Sequence, residues 1–374
     1  MVKNRKTPYY LIHKKQFDKN CRDLEMNFYR EWGPNVRYGY SVKTNNCSEM
    51  LMLAKHRGWL AEVVSQEEYG LAEKSGYQDS EIICNGPVKG NMIGRAIKQR
   101  QIVNIDNLCE IDQLLETVSS LKMDPSQITI GLRVNTDLGR IFPEEAVNVD
   151  GISRFGISVE NHDLASAVEI LKKRGIAVRG LHLHSSSKTR SVKIFRYLAA
   201  VACEIDEMYD LDLSYVDIGG GFWGGQVIDG KPLMCEYAAA ICNELKRRFS
   251  PSKVTLLLEP GASVAATAVD YVTTVENIRD VHGKRVVTLD GTLLHIDPFM
   301  LNRDVPYDID LTGDKMIPEQ YLCGCTCMER DCFNTLHHEG ELLPGMKIIF
   351  HNVGAYTCSF NSRFIVPPPD IYVD

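Results

Sequence analysis

The sequence predicts an α/β protein, a closed (β/α)8 barrel followed by a second, largely antiparallel β domain. Short apolar runs alternate with polar or glycine-rich stops and helical patterns as far as about residue 260, as parallel strands with crossover helices require. From about residue 263 the texture becomes β-rich and punctuated by turns. A length of 374 residues suits one large domain or two ordinary ones. Apolar residues at 44% and charged residues at 24% exclude a disordered, collagenous or coiled-coil chain.

The barrel strands are predicted at VRYGYSV (36–42), WLAEVVS (59–65), EIICN (81–85), IVNID (102–106), ITIGLRVN (128–135), VRGLHLHS (178–185), SYVDIGG (214–220) and VTLLLEP (254–260). Helical spacing between them is clearest over Cys47 to Lys55, Glu67 to Lys74, Leu164 to Lys173 and Glu236 to Phe249. The strands end in Lys43, Ser65, Asn85, Asp106, Arg133 with Asn135, His184, Gly219 to Gly221, and Glu259. A barrel of this kind presents all those ends on one face, where active sites form. The strand-like YYLIH (9–13) has no obvious place in the barrel. The expected division is therefore a barrel over residues 15–263 and a β domain over 1–14 with 264–374.

Charge and cysteine content narrow the partners. Against 42 basic residues stand 49 acidic ones, a formal charge of −7, so the footprint of a nucleic-acid binder is missing. The basic start MVKNRKTPYY is not followed by an apolar signal stretch, and nowhere do 18 apolar residues run together. A cytoplasmic protein without membrane contact, acting on small molecules, is expected. The twelve cysteines are scattered, which suits reduced thiols.

Four residues or motifs could carry chemistry. Lys43 closes an apolar strand, where desolvation would free its amine for attack on an aldehyde; the plainer reading is a lysine that snorkels to water. Gly219, Gly220 and Gly221 could let backbone N–H groups close on a phosphate, or could simply form a tight turn. Glu259 ends an apolar run, either in a salt bridge or as the partner of a protonated pyridine nitrogen. His184 could stack on a flat cofactor or be a core histidine. An amine, a phosphate cradle, a carboxylate and a flat ring together describe a site for pyridoxal 5′-phosphate.

These residues sit in YSVKTN, AEVVSQEEY, CNGPVK, VNIDN, RFGIS, HLHSSS, DIGGGF, EPGAS, CGCTCMERD, GAYT and FNSRFIVPPP, in order along nearly the whole chain. The set resembles the fold-type III pyridoxal-phosphate decarboxylases, the family of ornithine, diaminopimelate and biosynthetic arginine decarboxylases. The resemblance implies an alanine racemase-like TIM barrel joined to a β domain, in a homodimer whose subunits complete each other's active sites. It implies that Lys43 bonds the cofactor aldehyde and that His184 stacks on the ring. Ser187, Gly220, Gly221 and the backbone at Gly261 would hold the phosphate, Glu259 the ring nitrogen. Arg133 would lie near the ring, and Tyr356 would bond the phosphate. Cys327, from the partner subunit, would reprotonate the substrate carbon. Asp331 would contact the substrate near the lysine.

Several positions depart from the family pattern. Ala262 replaces an arginine, Ser186 a glycine, and Met328 the acid that meets a distal ammonium. In DGTLLHIDPFMLN (290–302), Asn302 stands for an acid of ornithine decarboxylases and Asp297 for an arginine of diaminopimelate decarboxylases. His295, Asp297 and Glu329 are candidate distal contacts, with Met328 lining the same region. The expected activity is decarboxylation of an amino acid or derivative that is modified, larger or less basic, rather than simple diamine formation. A non-catalytic regulator of the same fold and an amino-acid racemase are the competing readings. The pattern C-x-C-x-C-x4-C of Cys323, Cys325, Cys327 and Cys332 offers four soft ligands. Its spacing is not that of a common zinc knuckle, so catalysis by Cys327 without a metal is preferred.

Overall fold

A computed structural model of the chain describes residues 5–147, 153–301, 304–310, 313–360 and 362–374. The chain divides into two compact units, Cys21–Ser263 and Met1–Asn20 with Val264–Asp374. The division falls inside the helix Lys14–Trp32. Within the second unit, the Asn20 amide donates to Val264 O and Thr267 Oγ1 at 2.9 Å each, which ties the first turns of that helix to this unit.

Strand β1 (Tyr9–Ile12) belongs with the Val264–Asp374 segment. The other unit contains β2 (Val36–Ser41), β3 (Leu60–Val63), β4 (Ile82–Cys84), β5 (Ile102–Ile105), β6 (Thr129–Asn135), a two-residue β7 (Ile157–Ser158), β8 (Ala177–His182), β9 (Tyr215–Asp217) and β10 (Thr255–Leu258). Every pairing is parallel, and the circuit β2-β3-β4-β5-β6-β8-β9-β10 returns to β2, closing the eight-stranded barrel. β7 lies outside that circuit, pairing only with β6. The predicted helices stand between the strands at Ser48–His56, Gln66–Lys74, Asp163–Lys173 and Met234–Leu245. The last stops short of Phe249, its end tightening into three-residue turns such as Arg247 N–H to Glu244 O. Ser65 caps the helix Gln66–Lys74, its Oγ accepting the Glu68 N–H at 3.2 Å.

Strand periodicity explains where polarity sits. Leu60, Ile83 and Leu257 form one buried cluster, with Ile102 and Tyr215 packed against it. Two residues further along the same strands come Glu62, Asn85, Glu259, Asn104 and Asp217, so the next inward layer is polar. Gly131 and Gly180 make room for the Tyr215 ring: a Cβ at either would lie about 2 Å from it, 2.2 Å from its hydroxyl and 1.9 Å from Cζ respectively.

In the other unit β1 joins β11 (Val269–Val281), β12 (Lys284–Leu289), β13 (Tyr307–Ile309), β14 (Met316–Cys323), β15 (Cys332–Gly340), β16 (Lys347–Phe350) and β17 (Asp370–Val373). Pairing is antiparallel except for β1 with β17 and β12 with β14. The long connection 290–315 lets β14 return parallel to β12, which a hairpin could not do.

Candidate active site

At the end of β2 the chain enters a single tight turn, Val42–Thr44, which carries Lys43. Its side chain keeps 36% exposure, while Nζ donates to Ser41 Oγ at 2.8 Å and makes a short contact with Glu62 Oε2. Glu62, buried on β3, also accepts from Ser41 Oγ at 2.5 Å and from Asn85 Nδ2 at 3.1 Å. The same Asn85 amide donates to Glu259 Oε1 at 2.6 Å. The lysine and the glutamate singled out in the sequence are thus joined through two residues of the intervening strands.

Glu259 lies among buried ionisable groups. His182 Nε2 is 3.4 Å from its Oε2, and donor atoms of His182, Asp217 and Glu259 all fall within 4.8 Å of one another. Two buried carboxylates this close share a proton. Burial first, then the charge of Glu259, pushes Asp217 well above the usual carboxylate range. Burial opposes the charge on Glu259, but His182, Lys43 and Asp217 outweigh it and hold that carboxyl well below the usual range. The surroundings thus favour the charged form of Glu259 and the neutral form of Asp217.

The His184 ring lies 6.2 Å from that of His182, nearly parallel at 16°. Its Nδ1 accepts the Gly220 N–H at 3.2 Å. Burial first, then Arg133, His182 and Lys43, push its pKa down to about 3, so it offers a neutral flat face. Arg133 donates to Asp106 Oδ1 at 3.2 Å and sits over Phe155. Ser187 Oγ accepts the Arg190 N–H at 3.1 Å.

The residues present fit pyridoxal 5′-phosphate. A Cβ on Gly219 would come within 2.5 Å of His184 Nδ1, and one on Gly220 within 2.2 Å of Glu259 O, so only glycine leaves this cradle open. Gly219 and Gly221 adopt positive φ of 68° and 97°. Gly261 packs so close to the lysine turn that a Cβ would meet Thr44 Oγ1 at 2.2 Å. Buried Ser263 Oγ and Arg133 Nε have no hydrogen-bond partner among the described residues, as expected of donors reserved for a ligand. A neutral ring, an amine, a carboxylate and a glycine turn free of side chains match the four parts of the cofactor.

Sequence reasoning missed Glu62, His182 and Asp217. Each lies two residues beyond an inward-facing core position, Leu60, Gly180 and Tyr215, and that phase was the available signal.

The β unit contains the remaining predicted residues. Cys327 is exposed on the loop between β14 and β15, with Met328 half-buried and Glu329 exposed beside it. Asp331 braces that loop. Its Oδ1 accepts the Leu293 N–H at 2.8 Å, and its Oδ2 accepts the Thr326 N–H at 3.1 Å and the Thr326 hydroxyl at 2.6 Å. His295 and Asp297 are both buried. His295 Nδ1 meets the Tyr271 hydroxyl at 2.9 Å, and burial lowers its pKa to about 4. The turn at Leu293–His295 carries the stretch inward, and the Asp297 N–H donates to Leu293 O at 2.8 Å. Tyr356 is partly exposed at a left-handed φ of 59°. Asn302 lies outside the described residues. Cys323 and Cys332 face each other across β14 and β15 with Sγ atoms 3.5 Å apart, whereas Cys325 and Cys327 are exposed on the loop. Among the described residues, the four do not converge as metal ligands.

Comparison with known proteins follows this geometry. Residues 15–266 match the family described as pyridoxal-dependent decarboxylase, pyridoxal binding domain. The chain is 25% identical to a probable chloroplastic diaminopimelate decarboxylase of Oryza sativa subsp. japonica, over 99% of this chain and 75% of the relative. It is 23% identical to the L-glutamyl-[BtrI acyl-carrier protein] decarboxylase of Niallia circulans, over 100% of this chain and 90% of the relative. Its fold is similar to that of Helicobacter pylori diaminopimelate decarboxylase complexed with L-lysine, with a TM-score of 0.84 at 23% identity, covering 100% of this chain and 93% of the other.

Proposed function

We propose a substrate for this chain, which belongs to the pyridoxal-dependent decarboxylases: an amino acid or amino-acid derivative whose distal end presents no free ammonium. The observation that carries the reading is Met328, which offers no charge where the resemblance expects an acid. Of the neighbouring acids, Asp331 has both carboxylate oxygens engaged and Asp297 is buried. The Niallia circulans relative is named for a glutamyl group on a carrier protein, and a glutamyl side chain has no distal ammonium.

Pyridoxal 5′-phosphate supplies the electron sink for loss of carbon dioxide. Glu259 provides the negative charge that keeps a proton on a ring nitrogen. Lys43 is the amine, and Glu62, in contact with Nζ, is placed to hold the proton that the amine releases. His184 covers a ring face without bringing a second charge. Cys327 is the proposed acid at the substrate α carbon, supplied by the partner subunit of a homodimer, with Ser187 and Tyr356 proposed at the phosphate. The proposed location is the cytoplasm; no helix among the described residues is long and apolar enough to cross a membrane.

The test compares kcat/KM for carbon dioxide release from ornithine, lysine and diaminopimelate with that from glutamate and from distally acylated diamino acids. The substrates without a distal ammonium should lead by about tenfold or more. Met328→Glu should raise kcat/KM for lysine or ornithine by about tenfold, through one charge-assisted contact. A diamine-forming substrate with the highest kcat/KM would overturn the reading.

A further inference from the structure

A line of hydrogen bonds with one direction runs through the barrel core. The Tyr215 hydroxyl donates to Asn104 Oδ1 at 2.7 Å, and Asn104 Nδ2 donates to Asn85 Oδ1 at 2.9 Å. Asn85 Nδ2 then donates to Glu259 Oε1 at 2.6 Å and Glu62 Oε1 at 3.1 Å. Chemistry fixes this direction. An ionised carboxylate only accepts, so the Asn85 nitrogen must face the two glutamates; its oxygen then needs the Asn104 nitrogen, whose oxygen needs the phenol proton. Gly131 and Gly180 leave the space that the phenol ring fills. The line therefore depends on residues from β3, β4, β5, β6, β8, β9 and the end of β10, and its protons all point toward the two carboxylates.

We propose that Asn85 is a positioning residue that orients Glu62 and Glu259 together, so that one amide holds both the carboxylate serving the lysine and the one serving the ring nitrogen. An amide nitrogen has two protons, and here each goes to one carboxylate. Both acceptors are almost fully buried, at 1% and 4% exposure, so neither can draw on water for this stabilisation. The other groups facing Glu259 are His182, Asp217, Lys43 and, more remotely, Tyr215 and His184. Those facing Glu62 are Lys43 and Ser41, with Asp217 and Glu68 within electrostatic reach. None of these side chains bridges both carboxylates through one donor, as Asn85 does. Hydrogen bonding to the charged form favours that form, so loss of Asn85 should let Glu259 take a proton at higher pH. The role rests on the cofactor and is independent of which amino acid the enzyme takes.

The experiment measures affinity across pH for pyridoxal 5′-phosphate and for pyridoxine 5′-phosphate, which has the ring and phosphate but no aldehyde for Lys43. Asn85→Leu should weaken both ligands by about tenfold at neutral pH, and should move the acid-side loss of affinity upward by about one pH unit. Asn85→Asp keeps the shape and should show an opposite slope. Protonated, the introduced carboxyl can still donate, so affinity should approach wild type in acid and fall as pH rises. If Asn85→Leu does not fold, the slope of Asn85→Asp decides. Wild-type pH curves in folded variants would overturn the proposal, and so would a uniform loss without a change of slope, which marks a purely structural role. Wild-type protein that binds neither ligand would overturn the cofactor site itself, and the proposal with it.

Discussion

Lys89 of the CNGPVK motif is fully buried, where an ammonium needs partners to remain charged. Its Nζ donates to Gly86 O at 2.6 Å and to Glu110 Oε2 at 2.7 Å. Glu110 also accepts the backbone N–H groups of Lys89 at 3.1 Å and Asp106 at 2.9 Å. Burial lowers the lysine pKa, and Glu110 counters that shift. The pair holds the end of β5, where Asp106 meets Arg133, against the loop after β4 that begins with Asn85. Lys89→Met should cost about 3 to 5 kcal/mol of stability, because it leaves a buried carboxylate without its counter-ion. Urea unfolding of the variant against wild type checks this. At this scale the sequence revealed Lys43 and Glu259 because each interrupts an apolar run. Glu62 and Asp217 escaped notice because a lone acid inside a strand looks like an outward-facing residue until the inward phase is known.

At the scale of elements, β1 is held between β11 and β17 by its register and by the residue that follows it. His13 Nε2 meets Asp270 Oδ2 at 2.8 Å and its Nδ1 meets Asp374 Oδ2 at 2.7 Å. The hydrogen bond to Asp270 raises the His13 pKa to about 9, with Asp374 adding to the effect and burial opposing it. A raised histidine pKa means that the folded state binds the proton more tightly than the unfolded chain. Its stabilisation is full below about pH 6.5, the unfolded value, and is lost as pH rises through about 9. Thermal unfolding between pH 6 and 10 should show His13→Gln with a shallower decline than wild type, and parallel curves would contradict this clamp. The eight barrel strands were legible as elements because each is a short apolar run with a defined stop. The partners of β1 were not, since a strand carries no mark of what it pairs with. The two-residue β7 is too short for any periodicity.

At the scale of the whole molecule, the proposed homodimer with shared sites gives a direct test. Lys43→Ala and Cys327→Ala should each be inactive or nearly so. Mixing them under conditions that allow subunit exchange should restore up to about a quarter of wild-type activity, since half the dimers would be mixed and each would contain one intact site. No recovery despite demonstrated exchange would remove Cys327 from a site shared between subunits. By itself the sequence determined the fold class and the cofactor, and it supplied the proposed residues of the barrel site, because periodicity and strand-end chemistry are local properties. Only the tertiary structure decided that His295 and Asp297 are core residues, that Asp331 braces a loop, and that Asn85 joins two glutamates. Burial and hydrogen-bond partners come from chain segments far apart in sequence, and no local pattern records which of them meet.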